Sequence, residues 1–165
     1  MKTFQTCSSI ETRELGEQLG QAIVLRAKQK NGLNRKTAEV VLLYGELGAG
    51  KTTLTKGLYK GLGSRALATS PTFIIMRRSR IAGAMRKTTP FREVYHIDCY
   101  RLRDESALDV LEFDKLIGNP RNVIVIEWPE KIEKIIPRNR IKIQMSHGKK
   151  SEERNIKIVG IAFPG

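Results

Sequence analysis

Residues 45–52 read Gly-Glu-Leu-Gly-Ala-Gly-Lys-Thr and match G-x-x-x-x-G-K-[ST], the pattern of a phosphate-binding loop. An apolar run at 40–44, β-branched at its start, precedes the loop and is typical of a buried parallel strand. Leucines at a spacing of four follow it and predict one buried face of a helix, which Gly63 ends. Strand, glycine loop and helix in this order predict an α/β fold with a nucleotide at the start of the helix.

The residue types of the loop explain how it would hold phosphate. Gly45, Gly48 and Gly50 have no Cβ, so the backbone can bend tightly and turn its N–H groups toward an anion. Lys51 can reach the β- and γ-phosphates, and the Thr52 hydroxyl can ligate Mg²⁺. A chance glycine-rich turn would lack the flanking strand and helix. The candidate nucleotide-binding residues are Glu46, Leu47, Gly48, Ala49, Gly50, Lys51, Thr52 and Thr53.

A second strong signal lies at residues 123–128, Val-Ile-Val-Ile-Glu-Trp. Consecutive β-branched apolar residues that end in a carboxylate, Glu127, are similar to the Walker B strand of phosphate-loop proteins. A strand beside the phosphate-loop strand would deliver this carboxylate to Mg²⁺ or to the attacking water. The alternative is a core strand that happens to end in glutamate.

Two further polar residues are candidates for the same site. Asp98 lies at or near the end of a strand predicted within 94–102, where side chains often reach a nucleotide cleft. Thr72 opens the next apolar run after Pro71 and can face the γ-phosphate, or it can be a β-favouring residue at a strand start. His96 and His147 lack partners at metal-ligand spacing.

Periodicity and turn residues predict the remaining elements. Ser8 and Glu11 form a capping-box pattern at the start of the first helix. The expected elements are an edge strand at 3–7, a helix at 10–28, a loop at 29–36, a strand after Pro71, a helix from Asp104 to Ile117, and an antiparallel hairpin of 140–145 and 155–159 with one wet, basic face.

Length and composition favour one domain over residues 1–165, without a membrane span or signal peptide. Only Cys7 and Cys99 are present, so a disulfide framework is not expected and the chain is predicted to be cytoplasmic. Thirty Lys and Arg against seventeen Asp and Glu leave a net charge of +13, which favours an anionic partner or simply solubility. Residues 77–92 are basic and contain no acid before Glu93. They predict a mobile loop or hairpin tip, either a solvated charge run or an arm that binds RNA or a partner.

Taken together, the chain resembles the TsaE (YjeE) family of ATPases in bacterial tRNA threonylcarbamoyladenosine synthesis. The resemblance rests on GELGAGKTT, SPTF, HIDCYRL and IEWPEK, in the family's order, and covers about residues 3 to 145. It implies a P-loop NTPase-like α/β domain of three layers around a central mixed sheet. It also implies an ATPase that uses ATP and Mg²⁺, works with TsaD and TsaB, and sustains cycling of their complex without performing the transfer. Contact with tRNA would be direct or through that complex.

The resemblance also assigns roles to residues of this sequence. Lys51 would hold phosphates, Thr52 and Glu127 would hold magnesium, and Thr72 would be the switch threonine. Asp98 would be needed for hydrolysis, and Trp128 would lie beside the site. The chain departs from the family pattern in a longer, more basic segment between Phe73 and His96 and in Cys99, where an apolar residue is more usual.

Two other functions stay open from the sequence. A small-molecule kinase would also use a phosphate loop, and the arginines of 77–92 would then imitate its lid. An RNA-binding module with a structural nucleotide would use the same basic residues, although no aromatic-rich stacking motif supports it. GTP is not expected, because the sequence contains no N-K-x-D.

Overall fold

The computed structural model describes residues 1–29, 36–64, 75–81, 89–102 and 112–163. Several expectations fall elsewhere: most of the loop at 29–36, the segment that contains Thr72, the tip of the basic segment at 82–88, and the beginning of the helix expected from Asp104 all lie outside the described residues.

The described residues form strands, α-helices and one 3₁₀ helix. The strands are β1 (Lys2–Thr6), β2 (Glu39–Tyr44), β3 (Met76–Arg80), β4 (Glu93–Asp98), β5 (Asn122–Glu127), β6 (Ile141–His147) and β7 (Arg154–Val159). The helices are α1 (Ser9–Gln29), α2 (Lys51–Leu62), α3 (Phe113–Ile117) and the 3₁₀ helix Pro129–Ile135.

The strands form one mixed sheet in the order β1-β7-β6-β2-β5-β4-β3. The phosphate-loop strand β2 runs parallel to both β5 and β6, and β4 runs parallel to β5. Strands β6 and β7 form the expected antiparallel hairpin, and β7 also pairs antiparallel with β1. Since β2, β5 and β4 are parallel neighbours, their carboxyl ends meet at one edge of the sheet, where ligands bind in such folds.

The two faces of the sheet carry separate cores, which confirms the three-layer α/β architecture. Along β2, Val41 and Leu43 face α1 and α2, whereas Val40 and Leu42 face α3 and the 3₁₀ helix. All four side chains are buried, as expected for a central parallel strand.

The start of α1 shows the predicted cap. The Ser8 hydroxyl accepts the N–H of Glu11 at 3.1 Å, and the Glu11 carboxylate accepts the N–H of Cys7 at 2.8 Å. The reciprocal bond therefore falls on Cys7, one residue before the position of an ideal capping box. Within the described residues, no helix is long and apolar enough to cross a membrane.

The basic segment differs from its predicted extent. Arg77, Arg78 and Arg80 lie in β3, an edge strand paired with β4, and not in a loop. Local pattern missed this strand because an edge strand exposes one side to solvent and tolerates charge. The Glu93 carboxylate on β4 accepts from Arg78 and lies 3.8 Å from Arg80, which partly neutralises the charge of this edge.

Candidate nucleotide-binding site

The phosphate loop connects β2 to α2 through glycines in the left-handed region. Gly45 has φ +139°, and a Cβ there would lie 2.3 Å from the carbonyl oxygen of Met145 on β6. Gly50 has φ +95° and is the N-cap of α2. Only glycine adopts these positive φ angles without strain and leaves room for the Met145 carbonyl. The glycines of the sequence pattern therefore follow from the close approach of the loop to β6.

Lys51 is the first residue of α2, and its side chain is largely buried under the loop. Its Nζ donates to the carbonyl oxygens of Gly45 at 2.6 Å and Glu46 at 2.9 Å. Nζ also lies 4.1 Å from the centroid of the Trp128 ring. Burial lowers the pKa of Lys51, while Glu127 and then Asp98 act in the opposite direction. The ammonium group is therefore held beside the loop, where burial disfavours its charge. A bound phosphate would stabilise that charge.

The parallel strands bring the two predicted carboxylates together. Asp98 of β4 is opposite Glu127 of β5 in the strand register. The Thr52 hydroxyl at the start of α2 donates to Oε1 of Glu127 at 3.4 Å, and the Asp98 carboxylate accepts the N–H of Tyr100 at 2.9 Å. Loop, helix and both strand ends therefore bring Lys51, Thr52, Asp98 and Glu127 together.

These residues surround a cavity of about 270 Å³. Its lining consists of Leu47, Gly48, Ala49, Gly50, Lys51, Thr52, Thr53, Asp98, Tyr100, Glu127 and Trp128. Among the predicted residues, Glu46 lies outside this lining and contributes its carbonyl oxygen to Lys51 instead. Thr72 lies outside the described residues, so its role stays a prediction.

The donor set at the cavity suits magnesium. Within the described residues there is no cluster of three or more His, Cys, Asp or Glu side chains that could hold a metal by itself. Mg²⁺ in nucleotide sites usually takes one or two protein oxygens and completes its shell with phosphates and water. The Thr52 hydroxyl and the Glu127 carboxylate, already in contact, fit that requirement.

Sequence reasoning did not identify several residues of the site. Tyr100 lines the cavity, and its ring lies 5.1 Å from that of Trp128. Lys131 donates to the carbonyl oxygens of Tyr100 at 2.8 Å and Leu102 at 2.6 Å, which ties the 3₁₀ helix to the segment after β4. His96 contacts Glu127 with Nε2 2.9 Å from Oε1. The only available signal was that all three lie in the HIDCYRL and IEWPEK segments.

The cysteine that departs from the family pattern does not disturb the site. Cys99 is buried directly after Asp98, and burial raises the pKa of its thiol to about 12. A neutral, buried thiol packs as a small hydrophobic group. Cys99 therefore occupies a position at which the family usually has an apolar residue without exposing charge to the core.

The sheet order and the loop between β2 and α2 define a P-loop NTPase-like α/β fold. Within that class the chain belongs to the TsaE family, because the family model "Threonylcarbamoyl adenosine biosynthesis protein TsaE" matches residues 6–156. The protein therefore belongs to the machinery of tRNA threonylcarbamoyladenosine biosynthesis.

Individual relatives agree with this assignment. The chain is 39% identical to the tRNA threonylcarbamoyladenosine biosynthesis protein TsaE of Streptomyces coelicolor over 153 residues, 90% of each protein. It is 35% identical to the protein of the same name from Haemophilus influenzae, over 77% of this chain and 73% of that protein. The crystal structure of Bacillus subtilis YdiB superposes with a TM-score of 0.65 at 27% identity, covering 99% of this chain and 86% of YdiB.

Proposed function

We propose that the protein is a magnesium-dependent ATPase of tRNA threonylcarbamoyladenosine biosynthesis, and that its hydrolysis of ATP drives cycling of a complex with TsaD- and TsaB-like proteins. The observation that carries this proposal is the convergence of Lys51 and Thr52 from α2 with Asp98 and Glu127 from two neighbouring strands. An ATPase needs this set: a phosphate-binding lysine, oxygen ligands for magnesium, and a carboxylate near the attacking water.

Each residue has a distinct role in this proposal. The loop N–H groups and the start of α2 bind the phosphates, and Lys51 exchanges its loop carbonyls for β- and γ-phosphate oxygens. Thr52 and Glu127 would hold Mg²⁺, which when bound neutralises charge on the transferring phosphoryl group. Asp98 orients the water that attacks the γ-phosphorus, and Thr72 is the proposed switch threonine that senses the γ-phosphate.

The partner proteins are the second part of the proposal. We infer that the chain acts in the cytoplasm, that TsaD- and TsaB-like proteins stimulate its hydrolysis, and that tRNA is contacted directly or through their complex. ATP, and not GTP, is the proposed nucleotide. Membership of the family supports the pathway, and the cavity supports a nucleotide reaction.

The test of the site is the turnover of ATP by Lys51→Ala. Hydrolysis should fall by a factor on the order of a hundred or more, because the substitution removes the cation built into the phosphate cradle. Lys56→Ala, on the exposed face of the same helix, is the matched control and should hydrolyse ATP like the wild type. Wild-type turnover by Lys51→Ala would refute the site assignment.

The test of the function is ATP turnover with and without TsaD- and TsaB-like partners. We expect stimulation only when both partners are present. A small-molecule kinase would instead respond to an acceptor metabolite and ignore the partners, so equal turnover in both conditions would contradict the proposed role.

A further inference from the structure

His96 is fully buried beneath the candidate site, away from the cavity that the nucleotide would enter. It lies on β4 opposite Val125 of β5, two residues before the level at which Asp98 and Glu127 face each other. Because side chains alternate along a strand, His96 shares the α2 side of the sheet with Asp98. The Tyr59 ring of α2 lies 6.5 Å from its ring. The imidazole is therefore buried between α2 and the sheet.

From this position the ring reaches Glu127. Nε2 lies 2.9 Å from Oε1, and the side chains of both residues are almost wholly removed from solvent. The Thr52 hydroxyl reaches the same oxygen at the longer distance of 3.4 Å. His96 is therefore the closer of these two groups that contact the carboxylate, and it is not part of the cavity lining.

The chemistry of the contact determines the tautomer. An ionised carboxylate only accepts hydrogen bonds, so Nε2 must carry the proton in this contact. Nδ1 is buried and has no hydrogen-bond partner among the described residues. A proton on Nδ1 would be a buried N–H without an acceptor, which is costly. The contact geometry therefore fits the tautomer with its proton on Nε2.

We propose that His96 is a positioning residue for Glu127, and that its Nε2–H donates to Oε1 and fixes the carboxylate beside Thr52 in the orientation that receives Mg²⁺. This inference rests on the proposed function, because it takes Thr52 and Glu127 as the metal ligands. A glutamate has three side-chain torsions, and a buried donor at one oxygen removes most of their freedom before the metal arrives. Mutation of a residue that hydrogen-bonds to a metal ligand typically lowers metal affinity by about ten- to a hundredfold.

The first measurement concerns the wild-type protein without metal or nucleotide. Imidazole ¹⁵N NMR should show His96 as the tautomer with a protonated Nε2 and a bare Nδ1. The chain has only two histidines, so His147→Gln assigns the signals. A ring with its proton on Nδ1 and a bare Nε2, or one that samples both tautomers, would overturn the proposal without any variant of His96.

The second measurement compares His96→Leu with His96→Gln, whose amide can keep a donor near the position of Nε2. The probe is Mn²⁺, titrated by electron paramagnetic resonance into the complex with a non-hydrolysable ATP analogue. His96→Leu should raise the Mn²⁺ Kd about ten- to a hundredfold, and His96→Gln should stay within about threefold of wild type. When EDTA removes the metal, wild type, His96→Leu and His96→Gln should bind the ATP analogue with the same affinity, since His96 lies outside the cavity.

Glu127→Gln separates the failure of this inference from the failure of the proposed function. If Glu127→Gln weakens Mn²⁺ binding but His96→Leu does not, the positioning role is refuted and the metal site stands. If His96→Leu and His96→Gln lose affinity equally, the donor is irrelevant and the inference is also refuted. If Glu127→Gln leaves the Mn²⁺ Kd unchanged, the proposed metal site is wrong, and the inference is lost with it.

Discussion

Trp128 adopts a left-handed backbone conformation, φ 56° and ψ 53°, that large side chains rarely occupy. It directly follows Glu127, and its N–H donates to the carbonyl oxygen of Leu43 on β2 at 3.2 Å. This bond continues the pairing of β5 with β2 by one residue, and the indole lies beside Lys51 and against Tyr100. The strained residue therefore forms part of the cavity wall, as expected where backbone strain serves a binding site.

This arrangement predicts an optical signal for nucleotide binding. Trp128 is the single tryptophan of the chain, and the Lys51 ammonium is close to its ring. ATP should draw Nζ toward its phosphates and change the environment of the indole, so emission should change saturably with ATP. Lys51→Met, which removes the ammonium, should show a much smaller change. Unchanged wild-type emission at an ATP concentration that calorimetry shows to be saturating would contradict this prediction.

At the scale of single residues, sequence could identify the groups whose roles follow from a local motif. Lys51 and Thr52 follow from the loop, and Glu127 follows from the end of an apolar strand. His96 and Lys131 could not be assigned in this way, because their roles arise from contacts with residues about thirty positions away. The spacing of possible metal ligands in the sequence does not point to His96, because its partner is a carboxylate on the neighbouring strand.

At the scale of elements, α1 and α2 pack with almost no space between their backbones. A Cβ added at Gly57 would lie 1.8 Å from the carbonyl oxygen of Arg13, and one at Gly16 would lie 2.1 Å from that of Leu54. Gly20 and Gly61 show the same close approach. Both helices therefore carry Gly-x-x-x-Gly, a spacing that places two glycines on one face.

The contact predicts that Gly57→Ala destabilises the protein although alanine favours helices. The added methyl collides with backbone, which cannot move like a flexible side chain, so we expect a loss of about 1–3 kcal/mol in the free energy of unfolding. Denaturant unfolding followed by circular dichroism measures it. Lys56→Ala, on the exposed face next to Gly57, should change stability by less than about 0.5 kcal/mol. Equal stability of wild type and Gly57→Ala would refute the close approach.

The order of the elements was harder to predict than the elements themselves. The alternation in β6 and β7 predicted their hairpin, and the carboxylate of β5 predicted its place beside β2. The parallel pairing of β6 with β2 and the pairing of β1 with β7 were not predicted, because partners so distant in sequence leave no local pattern. The glycine faces of α1 and α2 were visible in the sequence, but without a partner helix their spacing had no assigned meaning.

At the scale of the whole molecule, the net charge of +13 predicts salt-dependent affinity for tRNA if the chain contacts it. The edge strand β3 and the residues that follow it in the sequence carry a dense group of arginines and lysines. Arg77 is best left intact, because its Nε is buried. In the variant, serine replaces four residues: Arg78, Arg80, Arg86 and Lys87. The matched control removes the same charge from Lys28, Lys56, Lys115 and Lys134, which are exposed.

Filter binding to tRNA at several salt concentrations tests this prediction. The variant should bind more weakly and lose up to about one unit of salt slope for each phosphate contact removed, whereas the control should keep nearly the wild-type slope. Equal slopes for the two variants would show that only the total charge matters, and that β3 is a solvated edge.

Binding of nucleotide should also stabilise the entire fold, because the cavity joins α2 to β4 and β5 and exists only in the folded chain. ATP with Mg²⁺ at a hundred times its Kd should add about 2.7 kcal/mol, which corresponds to a rise in Tm of roughly 5–11 °C for a chain of this size. Lys51→Ala should show almost no rise, and EDTA should reduce the wild-type rise, because Thr52 and Glu127 then have no ion to bind. If Lys51→Ala were stabilised as much as wild type, ATP would be acting through surface charge, and the cavity would not be its binding site.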